Sequence, residues 1–103
     1  MSRFALFKVL KNYEELNDLC SSSDEPVLDI KGNSLDEWFA DAVVGWDSVM
    51  GSYFINCHPE SKTGWALGIN EKIVTFDQFC AVMERVFNEQ VSFDFNQDLL
   101  MPE

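Results

Sequence analysis

Positive charge is scarce in this chain. Seven Lys and Arg stand against 18 Asp and Glu among 103 residues, a formal net charge of -11. A surface of that sign repels phosphate backbones and anionic lipid headgroups. It excludes direct nucleic-acid binding and membrane-surface binding, and it steers the protein toward basic partners. Histidine is nearly absent too, because His58 stands alone. A metal centre needs several converging His, Cys, Asp or Glu ligands, and a catalytic cysteine needs a base within reach. His58 directly follows Cys57. Consecutive side chains of a strand point to opposite faces, so these two do not meet. The remaining thiols, Cys20 and Cys80, are distant in sequence, and three cysteines are an odd number. They read as free thiols in a reducing compartment rather than as a disulfide scaffold. No apolar run approaches the roughly 20 residues of a membrane helix. The N-terminal residues also lack the charged-then-apolar pattern of a secretory signal. The expectation is a soluble, cytoplasmic protein with no metal, no cofactor and no enzymatic activity.

Phosphate-cradling glycine motifs are missing as well, both the P-loop and GxGxxG. Asp94, Asn96 and Asp98 spell the D-x-N-x-D opening of a calcium loop, but Leu99 stands where that loop requires Gly. Carboxylates are so abundant that no glycosidase-type pair can be singled out.

What is present is core-forming material. Hydrophobic residues make up 47% of the chain and aromatics 14%, including nine Phe and three Trp. Acidic disordered chains lack both classes, so this one folds, as a single domain over residues 1–103. Phe4 to Leu10 reads as a buried strand. Asn12, with Glu15 three residues on, opens a helix carrying Tyr13, Leu16, Leu19 and Cys20 on one side, and the serine run to Asp24 ends it. Val27 to Ile30 is a short strand or an extended approach. Ser34 and Glu37 form an S-x-x-E box, and Leu35, Trp38, Phe39, Ala42, Val43 and Trp46 follow at helical spacing. This predicts one amphipathic helix that runs to about Gly45 or beyond. Ser52–Cys57 and Trp65–Ile69 read as a hairpin around the turn-rich residues 58–64, with a further turn at Asn70–Lys72. Thr75 and Gln78 open another helix with Phe76, Phe79, Cys80, Met83, Val86 and Phe87 on one face, stopped by Asn88. Val91, Phe93 and Phe95 alternate with polar residues as in a half-buried strand. Residues 96–103 read as a frayed polar tail. The pattern predicts an α+β fold, a small mostly antiparallel sheet of about four to five strands with three helices packed on it.

The charge is also unevenly placed. Between Glu14 and Asp47 lie ten acidic residues and a single basic one, Lys31. On the Ser34 helix, Asp36, Glu37 and Asp41 leave the apolar stripe, and Asp47 would join them if the helix continued, with Ala40 and Val44 as a small apolar centre. Asp36, Glu37, Asp41, Val44, Trp46 and Asp47 are therefore the candidate partner-binding residues. Trp46, Tyr53 and Trp65 are candidate aromatic anchors. Asp36 and Glu37 suit the N-terminal end of the helix dipole, whereas Asp41 and Asp47 do not and are the more suggestive pair.

The stretch Gly32 to Trp46, GNSLDEWFADAVVGW, resembles the inhibitory helix of the barstar family, intracellular inhibitors of a secreted ribonuclease. The pieces that match are Leu35-Asp36 and Asp41-Ala42-x-x-Gly45-Trp46, with Gly32 before them. The resemblance implies that Asp36 and Asp41 enter a basic nuclease active site in place of substrate phosphates. One extra residue separates the halves here, which sets the two aspartates about 140° apart on a helix and leaves Glu37 four residues before Asp41. The expected function is an acidic non-enzymatic inhibitor of a basic partner protein, a nuclease toxin or another nucleic-acid-binding protein. The alternative is a phage-type DNA mimic, an anti-CRISPR or anti-restriction protein, whose acidic stripe would include Asp77, Glu84, Glu89, Asp94 and Asp98.

Overall fold

A computed structural model describes residues 3–22, 25–58 and 64–101 of the chain. Residues 59–63 of the expected turn, Ser23 and Asp24 at the expected helix end, and residues 102–103 of the expected tail lie outside the described part. In order, the elements are β1 (Phe4–Ala5), a 3-10 turn (Leu6–Val9), α1 (Tyr13–Ser22), α2 (Leu35–Asp41), β2 (Val43–Asp47), β3 (Ser52–Cys57), β4 (Trp65–Leu67) and α3 (Phe76–Val86). The four strands form one antiparallel sheet in the order β1-β2-β3-β4. This is the expected α+β architecture, at the lower end of the expected strand count.

Directly opposed residues of an antiparallel pair share a face. Val44 opposes Ile55 and Trp46 opposes Tyr53, while Ile55 opposes Leu67 and Cys57 opposes Trp65. These side chains form the inner face, and none of Val44, Tyr53, Ile55 and Cys57 is more than 1% exposed. Helix α3 lies against it through Phe79, whose ring centroid is 5.3 Å from that of Tyr53 and 4.8 Å from that of Phe95. Trp38 of α2 packs on Phe87 at 5.3 Å and on Trp65 at 6.2 Å. Such aromatic pairs contribute about 0.5–1.5 kcal/mol beyond their buried area.

Several expectations are corrected by the structure, the Trp65–Ile69 strand ending at Leu67 among them. The strand expected over Phe4 to Leu10 stops at Ala5. Leu6 and Val9, three apart and both fully buried, then turn inward on a 3-10 turn, where residues i and i+3 eclipse. The helix expected to run from Ser34 to Gly45 or beyond ends at Asp41. Ala42 adopts an extended backbone (φ -70, ψ 137), and the β-branched Val43 and Val44 begin β2. Val91 to Phe95 does bury alternate residues as expected, yet it joins the Leu10 segment by one bridge and not the sheet. Asn12 secures that segment, donating from Nδ2 to the Ser92 carbonyl (2.9 Å) and accepting at Oδ1 from the Asp94 N–H (3.0 Å). In the expected tail, Leu100 is fully buried.

Local signals set the other boundaries. Ser34 Oγ accepts from the Glu37 N–H at 3.2 Å, and Thr75 and Gln78 make a reciprocal capping box. After α3 the chain reverses through Asn88 and Glu89, both at positive φ. The β3–β4 hairpin depends on a glycine just beyond it. Gly68 has φ +90, and a Cβ there would run into the Tyr53 carbonyl oxygen.

Candidate functional site

The acidic surface is built on α1 and α2, and a buried carboxylate holds α2 in place. Asp29 is 5% exposed and sits in the turn before α2. Its Oδ2 accepts from the Trp38 indole N–H (2.7 Å), the Trp65 indole N–H (2.8 Å) and Asn33 Nδ2 (3.0 Å). Its Oδ1 accepts from the backbone N–H groups of Lys31 (2.8 Å) and Asn33 (3.0 Å). Burial alone would raise the Asp29 pKa. The hydrogen bonds from Trp38, from Asn33 and from Trp65 outweigh burial and hold it below the usual carboxylate value. One side chain thus joins the turn, α2 and β4. Lys31 closes the arrangement, with Nζ 4.1 Å above the Trp65 ring centre and donating to the Gly64 carbonyl at 2.9 Å.

Sequence reasoning missed Asp29 and Asn33. A weak signal existed, because Asp29-Ile-Lys-Gly-Asn33 is a turn composition and buried indoles need acceptors. That Trp65, 36 residues away, shares this acceptor with Trp38 is not readable along the chain.

Asp36 and Asp41 are exposed and Glu37 is half-buried. They divide between two flanks of α2. Asp36 lies on the α1 side, where burial first, and then the charge of Asp36 and a hydrogen bond to it, raise the pKa of the half-buried Cys20. Glu37 and Asp41 lie on the sheet side. There burial, followed by the charges of Asp41, Asp29 and Glu37, pushes the fully buried Cys57 thiol up to about 12. Cys80 is raised to about 11 by burial and by Asp77 and Glu84. All three are free thiols, and each is shifted away from the thiolate form that a nucleophile requires. Asp36 and Asp41, to which the resemblance gives one role, therefore diverge, as their five-residue spacing on a helix implies, whereas Glu37 and Asp41 share a flank.

Three of the candidate residues are not on this helix. Val44, 0% exposed, and Trp46, 8% exposed, belong to the core face of β2, where strand pairing with Ile55 and Tyr53 turns them inward. Asp47 ends β2 and is half-buried; its Oδ1 accepts from the N–H groups of Val49 (3.0 Å) and Met50 (3.2 Å), a turn-forming role. The anchor candidates Tyr53 and Trp65 are buried too, so none of the three aromatics is offered to a partner.

The structure instead sets α1 against α2. Neither helix contains a basic residue, and α1 adds the exposed Glu14, Glu15 and Asp18. Of the more distant acids, Asp77, Glu89, Asp94 and Asp98 are exposed and Glu84 is half-buried. Among the described residues, no group of three or more His, Cys, Asp or Glu is placed to hold a metal ion. No helix among them is long and apolar enough to cross a membrane. The chain matches no protein-family model, no curated protein and no solved structure.

Proposed function

We propose that this protein is a non-enzymatic inhibitor that binds and neutralises a basic partner protein, in the manner of an immunity protein blocking a nuclease toxin. It would act in the cytoplasm, where its free thiols stay reduced. The observation that carries this reading is the pairing of α1 and α2, two adjacent helices with six acidic and no basic residues, on a chain of net charge -11. Such a field accelerates encounter with a basic surface and disfavours other acidic proteins. Glu37 and Asp41, one turn apart on one flank, are the pair best placed to act together, with Asp36 contributing from the other flank.

The second reading, a phage-type DNA mimic, draws support from the same extension of acidity onto α1, since mimicry needs carboxylates over a long surface. One experiment addresses both. Tagged protein and an Asp36→Lys/Asp41→Lys variant are used to capture partners from host lysate at low and high salt. The inhibitor reading expects one basic nuclease-like protein, released on adding salt and not captured by the variant. A multi-subunit nucleic-acid-binding complex would favour mimicry. A partner retained by the variant would remove Asp36 and Asp41 from the interface.

A further inference from the structure

Among the described residues β4 is the last strand of the sheet, and β4 and α3 frame a groove of about 470 Å³. That volume falls within the range of small-ligand sites. Backbone pairing fixes which groups the edge presents. The Tyr53 N–H donates to the Ile73 carbonyl at 2.8 Å, so the backbone of Tyr53 faces the β4 side of β3. Alternate residues of a strand face the same neighbour. Ile55 and Cys57 therefore face β4 and bond with their partners Leu67 and Trp65. Ala66, between those two, turns its N–H and C=O outward. Its side chain is exposed and one carbon long, so nothing on it blocks an added strand. Beyond it, Gly68 takes the chain away from β3 until Ile73 returns to bridge Tyr53, and this arch forms one wall of the groove.

The lining has a distinctive chemistry for this chain. Leu67, Ile73 and Val82 provide apolar surface. Lys72 and Arg85, two cations in a molecule with few, lie alongside, opposed by one acid, Glu71. Two cations against one anion suit a ligand with a single carboxylate. The charge of the whole chain disfavours a polyanion.

We propose that this groove is a peptide site. An extended segment pairs with Ala66 as a fifth strand, lays an apolar side chain on Leu67, Ile73 and Val82, and places one carboxylate at Lys72 and Arg85. Main-chain pairing supplies affinity, and the side-chain and carboxylate contacts supply selectivity. The site shares no residue with α1 or α2 and does not rest on the inhibitor reading.

The test is selection from a displayed library of random octapeptides with free C-termini on the immobilised full-length protein. Selected peptides are then made with free and amidated C-termini, and their binding is followed by fluorescence anisotropy. The expected winners combine an apolar residue with a carboxylate. Lys72→Glu/Arg85→Glu should weaken them at least about tenfold, the scale on which removing a charge-assisted hydrogen bond acts. Asp36→Lys/Asp41→Lys should change them less than about twofold, because distant sites act independently. Amidation abolishes binding if the C-terminus supplies the carboxylate and leaves it intact if an Asp or Glu side chain does. Ala66→Pro removes the outward N–H, a substitution that edge strands accommodate, and should also weaken binding, with circular dichroism confirming the fold. No enrichment over an unrelated immobilised protein would overturn the proposal. So would basic winners, or winners indifferent to Lys72→Glu/Arg85→Glu.

Discussion

Asp29 is the side chain on which the most distant parts of the chain converge. Hydrogen bonds to a charged acceptor contribute about 1.5–3 kcal/mol each, and a buried donor left without one costs about 1–3 kcal/mol. Asp29→Ala strands the indole N–H groups of Trp38 and Trp65 together, so a loss of roughly 3–5 kcal/mol is expected in urea unfolding followed by tryptophan fluorescence. The pH dependence has a definite sign. The folded Asp29 pKa is depressed, so its contribution is fully present above the unfolded aspartate value of about 3.9 and is lost as pH falls through the lower folded value. The stability gap between wild type and Asp29→Asn should therefore stay constant from neutral pH to about 5 and narrow only below about 4. A gap that closes near neutral pH would contradict the buried, ionised carboxylate. Gly68 is the second residue without a substitute. Gly68→Ala meets both a positive φ and the Tyr53 carbonyl, and a loss of about 2 kcal/mol or more is expected in the same assay.

At the scale of elements, the chain's own signals decide where helices begin. Ser34 and Thr75 were legible as caps because the side chain and the N–H it accepts are three residues apart. Ser34→Ala should cost about 1 kcal/mol in thermal unfolding. Where helices end was less legible. Ala42, Val43 and Trp46 continue the apolar spacing of α2 without interruption, and the same residues fit a strand that is buried on its inner face. The pairing of Val43–Asp47 with Ser52–Cys57 resolves the ambiguity, and it lies outside any local window. The consequence for the candidate site is direct. A helix continuing to Asp47 would have carried Val44, Trp46 and Asp47 into the acidic face; the shorter α2 leaves Asp36, Glu37 and Asp41. Asp36 and Asp41 are exposed, so Asp36→Lys/Asp41→Lys should shift stability by no more than about 1 kcal/mol, chiefly through the helix dipole at Asp36. Differential scanning fluorimetry beside the binding assay would separate a broken interface from a broken fold.

Over the whole molecule, charge opposes compactness. A net charge of -11 on 103 residues repels itself, and salt screens that repulsion over distances beyond about 8–10 Å. The thermal midpoint should rise by several degrees between about 20 mM and about 500 mM NaCl, an effect of order 1 kcal/mol for a domain of this size. A flat response would mean that the carboxylates are locally compensated, which would weaken the electrostatic case for a basic partner. The same salt increase should slow association with such a partner, so fold and binding respond in opposite directions.

The sequence by itself determined the charge sign, the scarcity of catalytic and metal-binding residue types, the α+β class, the two capped helix starts and the hairpin strands. Each of these is a matter of composition or of residues within a few positions of one another. Only the tertiary structure decided that α2 stops at Asp41, that Asp29 holds Trp38 and Trp65 together, which elements flank Asp36 and Asp41, and that Ala66 faces the edge of the sheet. These depend on backbone pairing and on contacts between residues distant in sequence. Their energy is realised only when the sheet has formed, so no local pattern can contain them.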